Sequence, residues 1–238
     1  MNNPKSISLV FPLYKDKSTV KTMISKSLKI LKKTKKKFEI IIIDDGCPEN
    51  SGKIAQSYAK KYPYVKIFFH KKNLGYGAAI KTGIKQSKYE CIFLIDGDNE
   101  YNVNDLPRML KIFKNNDLVI TYRYKNKNNI KRIFISYVYN LILRLLFKTS
   151  FKDISVGSKL ISKQLKNKII LKSNSPFVNA ELAIKSKYYG YKVDEVGIQH
   201  HLRVVGAGSV VTVKNILLMI KEIVILFIQL CLKKKLTP

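Results

Sequence analysis

The stretch IDGDNEY, Ile95 to Tyr101, closes an apolar run that begins at Cys91 and sets Asp96, Asp98 and Glu100 at alternate positions. Acids are scarce in this chain, which holds 16 Asp plus Glu against 45 Lys plus Arg. Three of them at one strand end need a counter-ion. Such carboxylates suit Mg2+ or Mn2+, hard cations that keep several waters and draw their remaining ligands from a substrate's phosphates. The segment therefore reads as a handle for a nucleotide diphosphate held through a metal. An exposed turn after a strand uses the same Asp, Gly and Asn, so the surrounding elements must decide.

Those elements alternate. Strand-length apolar runs at Ser6 to Phe11, Phe38 to Asp44, Val65 to His70, Cys91 to Asp96 and Leu118 to Thr121 are separated by segments of helical period. The helices are expected at Ser18 to Leu31, Ser51 to Lys61, Gly77 to Gln86 and Asn104 to Phe113. This order predicts an α/β fold of βαβ units with a mainly parallel sheet. The near-continuous hydrophobicity of the strands predicts helices on both faces. Ligands in such sheets bind beyond the carboxyl ends of the strands, which gathers Asp45-Gly46, Asn73-Leu74-Gly75 and Asp96-Gly97 along one edge. The run Asn73, Gly75, Gly77 reads as a tight turn into a helix and not as a phosphate-loop fingerprint. His200 and His201 are adjacent, so in a strand they face opposite ways and cannot clasp one metal.

At 238 residues and 46% apolar content, the chain suffices for one sizeable core. Cys47, Cys91 and Cys231 are too few and scattered for a disulfide framework or a zinc site, which points to a reducing compartment. The short run Ile7 to Leu13, interrupted by Pro12, reads as a first strand and not as a signal peptide. A net charge of +29 fits nucleic acid, anionic lipid or a compositional drift towards lysine. A nucleic-acid binder would cluster its basic residues around stacking aromatics or carry a known module. Neither is seen, and no nucleic-acid partner is expected.

Four blocks in order, VFPLYKDKSTV, EIIIIDDGCPENSGKI, HKKNLGYGAAIKTGI and FLIDGDNEYNVNDLP, resemble the family 2 glycosyltransferases of GT-A fold. The likeness continues through DLVITYRY, KRIFISYVYNLI, KDISVGSKLIS, NAELAIKSKYYGYKVDEVGI and HLRVVGAGS. It is similar to the branch that makes polyprenyl-phosphate or dolichyl-phosphate sugars. The resemblance implies a metal-dependent, inverting transfer of a hexose from a GDP- or UDP-linked nucleotide-sugar to a lipid phosphate. It assigns Pro12, Tyr14, Asp16, Asp45 and Asp96 to the nucleotide, with Asp45 at the base. Asp96 and Asp98 match the metal-diphosphate motif. Glu100 stands where Gln is common, and Lys15 where Asn is usual; Glu100 is carried as a third metal ligand. Arg123, Arg132 and Arg203, with the hydroxyl of Ser136, match positions around the phosphates. Asp98 and the three arginines are expected to act in catalysis, and Arg132, Ser136 and Arg203 to grip the acceptor phosphate.

Physical chemistry independently favours the arginines. Donor diphosphate and acceptor phosphate repel each other in one cleft until fixed cations cancel the charge, and a guanidinium grips phosphate with a planar fork at any relevant pH. A phosphate acceptor is already ionised and needs no general base. Transfer to a saccharide hydroxyl, the alternative, would require one, and Asp153 or Glu181 would serve.

Ile216 to Leu232 is mostly apolar but carries Lys221 and Glu222 and falls short of the roughly 20 residues of a spanning helix. Asn215, Glu222 and Gln229 recur at every seventh residue and make one polar stripe. Lys233 to Lys235 follow. The expectation is a helix lying in the cytoplasmic leaflet's interface, which divides the chain into a GT-A domain at 1–210 and an amphipathic interfacial helix with basic tail at 211–238. Ile133 to Phe147, with Arg132, Ser136, Asn140 and Arg144 at four-residue intervals, is the second apolar stretch, on the acceptor side in similar enzymes. A peripheral or monotopic protein at the cytoplasmic face of a membrane is expected.

Overall fold

The computed structural model describes residues 3–125, 127–201 and 212–236. Its strands are β1 (Ser6–Leu13), β2 (Lys37–Asp44), β3 (Val65–Phe69), β4 (Cys91–Leu94), β5 (Leu118–Lys125), β6 (Lys159–Ser162) and β7 (Val193–Gln199). They form one sheet in the order β3-β2-β1-β4-β6-β5-β7. Pairings are parallel except those of β6, which runs antiparallel to both β4 and β5. The helices are α1 (Val20–Lys33), α2 (Ser51–Lys61), α3 (Tyr76–Gln86), α4 (Leu106–Phe113), α5 (Ile130–Phe147), α6 (Lys163–Lys168), α7 (Val178–Tyr188) and α8 (Val213–Leu236).

Alternation along the strands builds two cores. Ile7, Leu9, Phe11 and Leu13 of β1, with Ile40 and Ile42 of β2, pack against α1 and α4 on one face. Val10, Ile41 and Ile43 point the other way, against α3, α7 and α8. Each large apolar side chain so buried contributes about 1.5–3 kcal/mol. Both faces being covered explains why the strands read as unbroken apolar runs.

The expected boundaries shift where chain direction is set by neighbours. β1 runs past Phe11 through Pro12 to Leu13, although proline donates no ladder hydrogen bond. The Val10 carbonyl accepts from Ile95 N on the β4 side, and that of Leu13 accepts from Asp45 N on the β2 side. Peptide groups alternate, so the donor missing at Pro12 points towards β4, beyond its last paired residue, Leu94. β5 extends four residues past Thr121 because β7 lies alongside it. The helix expected from Asn104 splits into a 3-10 turn, Val103–Asp105, and α4, with Pro107 in the first turn of α4.

α8 corrects one expectation. Its apolar stretch, Val213–Leu232, is 20 residues and long enough to cross a membrane, not short of it. Asn215, Glu222 and Gln229 share the half-buried side of α8 with Leu226 and Leu230, which are buried. Glu222 is tied to the domain: its Oε1 accepts from Asn174 N at 2.7 Å, and its Oε2 from the Ser175 hydroxyl. The polar stripe thus lies along the domain. Ile216, Leu217, Ile220, Val224, Ile225 and Ile228 face outward. The expected boundary at 210/211 lies outside the described residues.

Candidate active site

Asp96 sits just beyond β4, at the edge where β1 and β2 also end. Its Oδ1 accepts from the Tyr76 hydroxyl at 2.6 Å. Gly157 leaves room for it: a Cβ there would fall 2.3 Å from Oδ1 and 2.5 Å from Oδ2. Burial pushes the Asp96 carboxyl up to about 6, with the Tyr76 hydrogen bond opposing, Glu100 and Asp16 adding to the rise, and Lys159 opposing. Lys159 is fully buried in β6 and donates to the Val156 carbonyl. Burial lowers its ammonium to about 8, against the pull of Asp96 and Asp153. Sequence inspection missed Lys159 because nothing marks one lysine among so many; it missed Tyr76 because the contact spans 20 residues.

The other two acids of the expected metal set are held differently. Asp98 Oδ1 accepts from Glu100 N at 3.0 Å across a turn in which Asn99 takes φ 64°. Glu100 Oε2 lies 3.3 Å from His200 Nε2, and its carbonyl accepts from His201 N. His200 is buried, its ring edge-on to Tyr101. Among the described residues no group of three or more His, Cys, Asp or Glu stands ready to hold a metal. The three carboxylates are therefore not a closed cage. The donor set still fits Mg2+ or Mn2+, which take one or two carboxylates and leave the rest to water and phosphate. Burial, joined by the charges of Glu100 and Asp16, raises Asp96, and a cation beside these acids is favoured.

On the nucleotide side, Pro12 ends against Gly97, where a Cβ would meet the Pro12 carbonyl at 2.4 Å. Tyr14 N donates to Asp16 Oδ2 at 3.3 Å, and the Asp16 carbonyl accepts from Thr19 N and Val20 N, which starts α1. Between them Lys15 adopts φ 60°, a left-handed conformation that Asn tolerates better than most residues. That accounts for Asn being usual there. Asp45 is buried and engaged: Oδ1 meets His70 Nδ1 at 2.6 Å and Leu74 N at 2.9 Å, and Oδ2 accepts from Gly75 N at 3.0 Å. The carboxylate expected at the base fastens the loop after β3.

On the other side of β4, Arg123 of β5 donates from Nε to Asp153 at 2.6 Å and from Nη2 to Ser136 Oγ at 2.8 Å. Arg123 and Ser136 are thus brought together, with Arg123 inside an ion pair that is about nine-tenths buried. Arg132 is exposed at the start of α5, one turn before Ser136, and donates to Asn128. Arg203 lies outside the described residues.

Neither candidate base is poised to take a proton. Burial raises the Asp153 carboxyl, but Arg123, Ser155 and Asn140 outweigh it and hold it low. Glu181, buried in α7, accepts from Lys172 N, Ser173 N and Lys185. These bonds overcome its burial and hold it below the usual carboxylate range.

A mainly parallel sheet whose central strand ends in paired acids is the arrangement of a GT-A-type fold, and comparison with known proteins agrees. Residues 8–170 match the family described as Glycosyl transferase family 2, and the chain belongs to it. A dolichyl-phosphate beta-glucosyltransferase, ALG5A, of Trichomonas vaginalis is 25% identical over 209 residues, 81% of this chain and 65% of that protein. The dolichyl-phosphate beta-glucosyltransferase of Dictyostelium discoideum is 27% identical over 182 residues, 68% of this chain and 56% of that one. The chain thus spans less than two thirds of either relative. In fold it is similar to glucosyl-3-phosphoglycerate synthase of Mycobacterium tuberculosis, solved with Mn2+, UDP and phosphoglyceric acid. The TM-score is 0.72 at 14% identity, covering 95% of this chain and 78% of that one.

Proposed function

We propose that this protein transfers a hexose, with inversion, from a GDP- or UDP-linked nucleotide-sugar to the phosphate of a polyprenyl or dolichyl lipid at the cytoplasmic face of a membrane. The observation that carries this reading is the state of Asp153 and Glu181, the two carboxylates expected as candidate bases for a saccharide acceptor. A general base works best with its pKa near the operating pH; both are held low and tied into ion pairs. A phosphate acceptor needs neither. One of its oxygens bonds to the anomeric carbon as the bond from that carbon to the diphosphate breaks, the electron pair leaving on the diphosphate.

In this reading Pro12, Tyr14 and Asp16 wall the nucleotide, and Asp45 shapes the base pocket through the loop it fastens. Asp96 and Asp98 would hold Mg2+ or Mn2+, with Glu100, steered by His200, at the rim. When bound, the metal would neutralise charge on the leaving diphosphate. Arg132, Ser136 and Arg203 receive the acceptor phosphate, and Arg123 orients the Ser136 hydroxyl. The outward apolar faces of α5 and α8 set the protein on the bilayer, supported by the lysines at 233–235 against an anionic leaflet. The names of the two dolichyl-phosphate glucosyltransferase relatives support the acceptor class.

The test offers purified protein a panel of labelled nucleotide-sugars with polyprenyl phosphate and Mn2+. Label is expected in the organic phase, and Asp98→Asn is expected to abolish its transfer. Unchanged turnover in Asp98→Asn, or label passing only to a saccharide, overturns the reading.

A further inference from the structure

The proposed metal site contains a hydrogen-bond relay that the family blocks do not explain. Tyr76 opens α3, and its hydroxyl donates to Asp96 Oδ1 at 2.6 Å. Asn179, in the first turn of α7, donates from Nδ2 to the same hydroxyl oxygen at 3.2 Å. A phenol has one proton. With the Asn179 amide occupying a lone pair of the oxygen, that proton is aimed at Asp96, and the relay has one direction. Asn179 is buried, and α7 is held behind it by Glu181.

The remaining space around Asp96 is shaped to match. Gly157 supplies the room that the carboxylate occupies, because any side chain there would collide with both of its oxygens. Lys159 places a buried cation close enough to attract that carboxylate. Tyr76 engages Oδ1, so its bond sets the orientation of the whole carboxylate.

We infer that Tyr76 and Asn179 are positioning residues that fix the Asp96 carboxylate for a divalent cation, Asn179 acting through Tyr76. The inference rests on the reading that Asp96 holds the metal. Neither residue touches the reacting atoms. Losing an outer partner of a metal ligand weakens metal binding by roughly 10- to 100-fold. Because the two act in series, their losses do not add.

The test measures Mn2+ binding to the purified full chain, alone and with UDP, from the spectroscopic signal of free Mn2+. Thermal melting runs in parallel as a control for folding. Tyr76→Phe removes only the hydroxyl and is expected to weaken Mn2+ binding by about 10-fold or more while the melting transition stays cooperative. Asn179→Ala is expected to weaken it less, and adding it to Tyr76→Phe to cost nothing further. Full Mn2+ affinity in a folded Tyr76→Phe protein, or fully additive losses in the double variant, overturns the inference. Asp96→Asn separates the two levels. If it binds Mn2+ as the native protein does, or if the native protein binds none, the metal reading falls and the relay with it. If only Asp96→Asn loses the metal, the relay alone falls.

Discussion

Across β3-β2-β1-β4 every pairing is parallel, and a covering helix such as α1 buries Met23, Ile24, Leu28 and Leu31 while Lys21, Lys26 and Lys29 face out. Across β6-β5-β7 one strand is reversed, and two helices, α5 and α8, invert the pattern. α5 exposes Ile130, Phe134, Ile135 and Leu145, and α8 exposes Leu217, Ile220, Val224 and Ile228. The two helices touch through Phe147 and Phe227, whose rings meet edge-on at 6.1 Å, so their outward faces adjoin. Water suits the outer surface of α1 and not the outward faces of α5 and α8. Large apolar side chains exposed in this number on two touching helices mark a membrane or protein contact. Arg123, Asp153, Lys159 and Asp96 lie at or beyond the seam between the halves, while the first half buries acids of its own in Glu39, Asp44 and Asp45.

The largest effect on folding should come from breaking a charge pair in the second half. Arg123→Ala leaves Asp153 buried without its cation, which costs about 3–5 kcal/mol. The pair Arg108–Asp105 lies at the start of α4, with the Arg108 side chain 49% exposed and also bonded to the Gly197 carbonyl, and Asp105→Asn, which removes the pair alone, should cost under about 1 kcal/mol. Urea unfolding of both variants checks the contrast, and equal losses would erase it.

Next in size is a pH dependence located at the seam, read on metal-free protein. The Asp96 carboxyl stands at about 6 in the fold against an ordinary 3.8. The folded state then binds the proton more readily, so stability rises as pH falls from 6 to 4. Lys159 stands at about 8 against 10.5. The unfolded chain holds that proton more tightly, so stability rises as pH climbs from 8 to 10.5. Each limb amounts to roughly 3 kcal/mol at most, and both penalties are present together between 6 and 8. Asp96→Asn should remove the acid limb relative to native protein, and Lys159→Met the alkaline limb. Melting curves that keep both limbs in these variants would place the cause elsewhere.

The first half was legible because its physics is local. Unbroken apolar runs at β1, β2 and β4 are what two-sided burial requires, and Asp96 and Asp98 mark where the β4 run ends. Contacts made between distant segments were not legible. No spacing links Tyr76 to Asp96, or shows that Asp45 fastens the loop after β3. β6 is four residues long and begins with Lys159, so no strand pattern announces it. The every-seventh polar stripe of α8 was visible, yet periodicity fixes only that Asn215, Glu222 and Gln229 share a side. The loop at Asn174 and Ser175, which supplies donors to Glu222, decides that the side faces the domain.

The smallest effect on folding, and the sharpest test of the second half, lies on that outward face. Leu217 is 62% exposed and Ile228 49%; neither belongs to the buried cluster beneath α8. Leu217→Asp with Ile228→Asp should therefore shift unfolding by no more than about 0.5 kcal/mol per site. Binding to vesicles of anionic phospholipid should respond quite differently. Burying a Leu or Ile side chain in an apolar medium contributes about 1.5–3 kcal/mol, and a carboxylate adds repulsion from an anionic leaflet. The double variant is expected to lose vesicle flotation by 100-fold or more on that order of energy, whereas Lys21→Asp with Lys29→Asp on α1 should lose far less. Loss of melting temperature in step with loss of flotation would mean that the α8 face is buried within the folded protein or against a second copy, and the contrast between the halves would then be one of assembly and not of solvent.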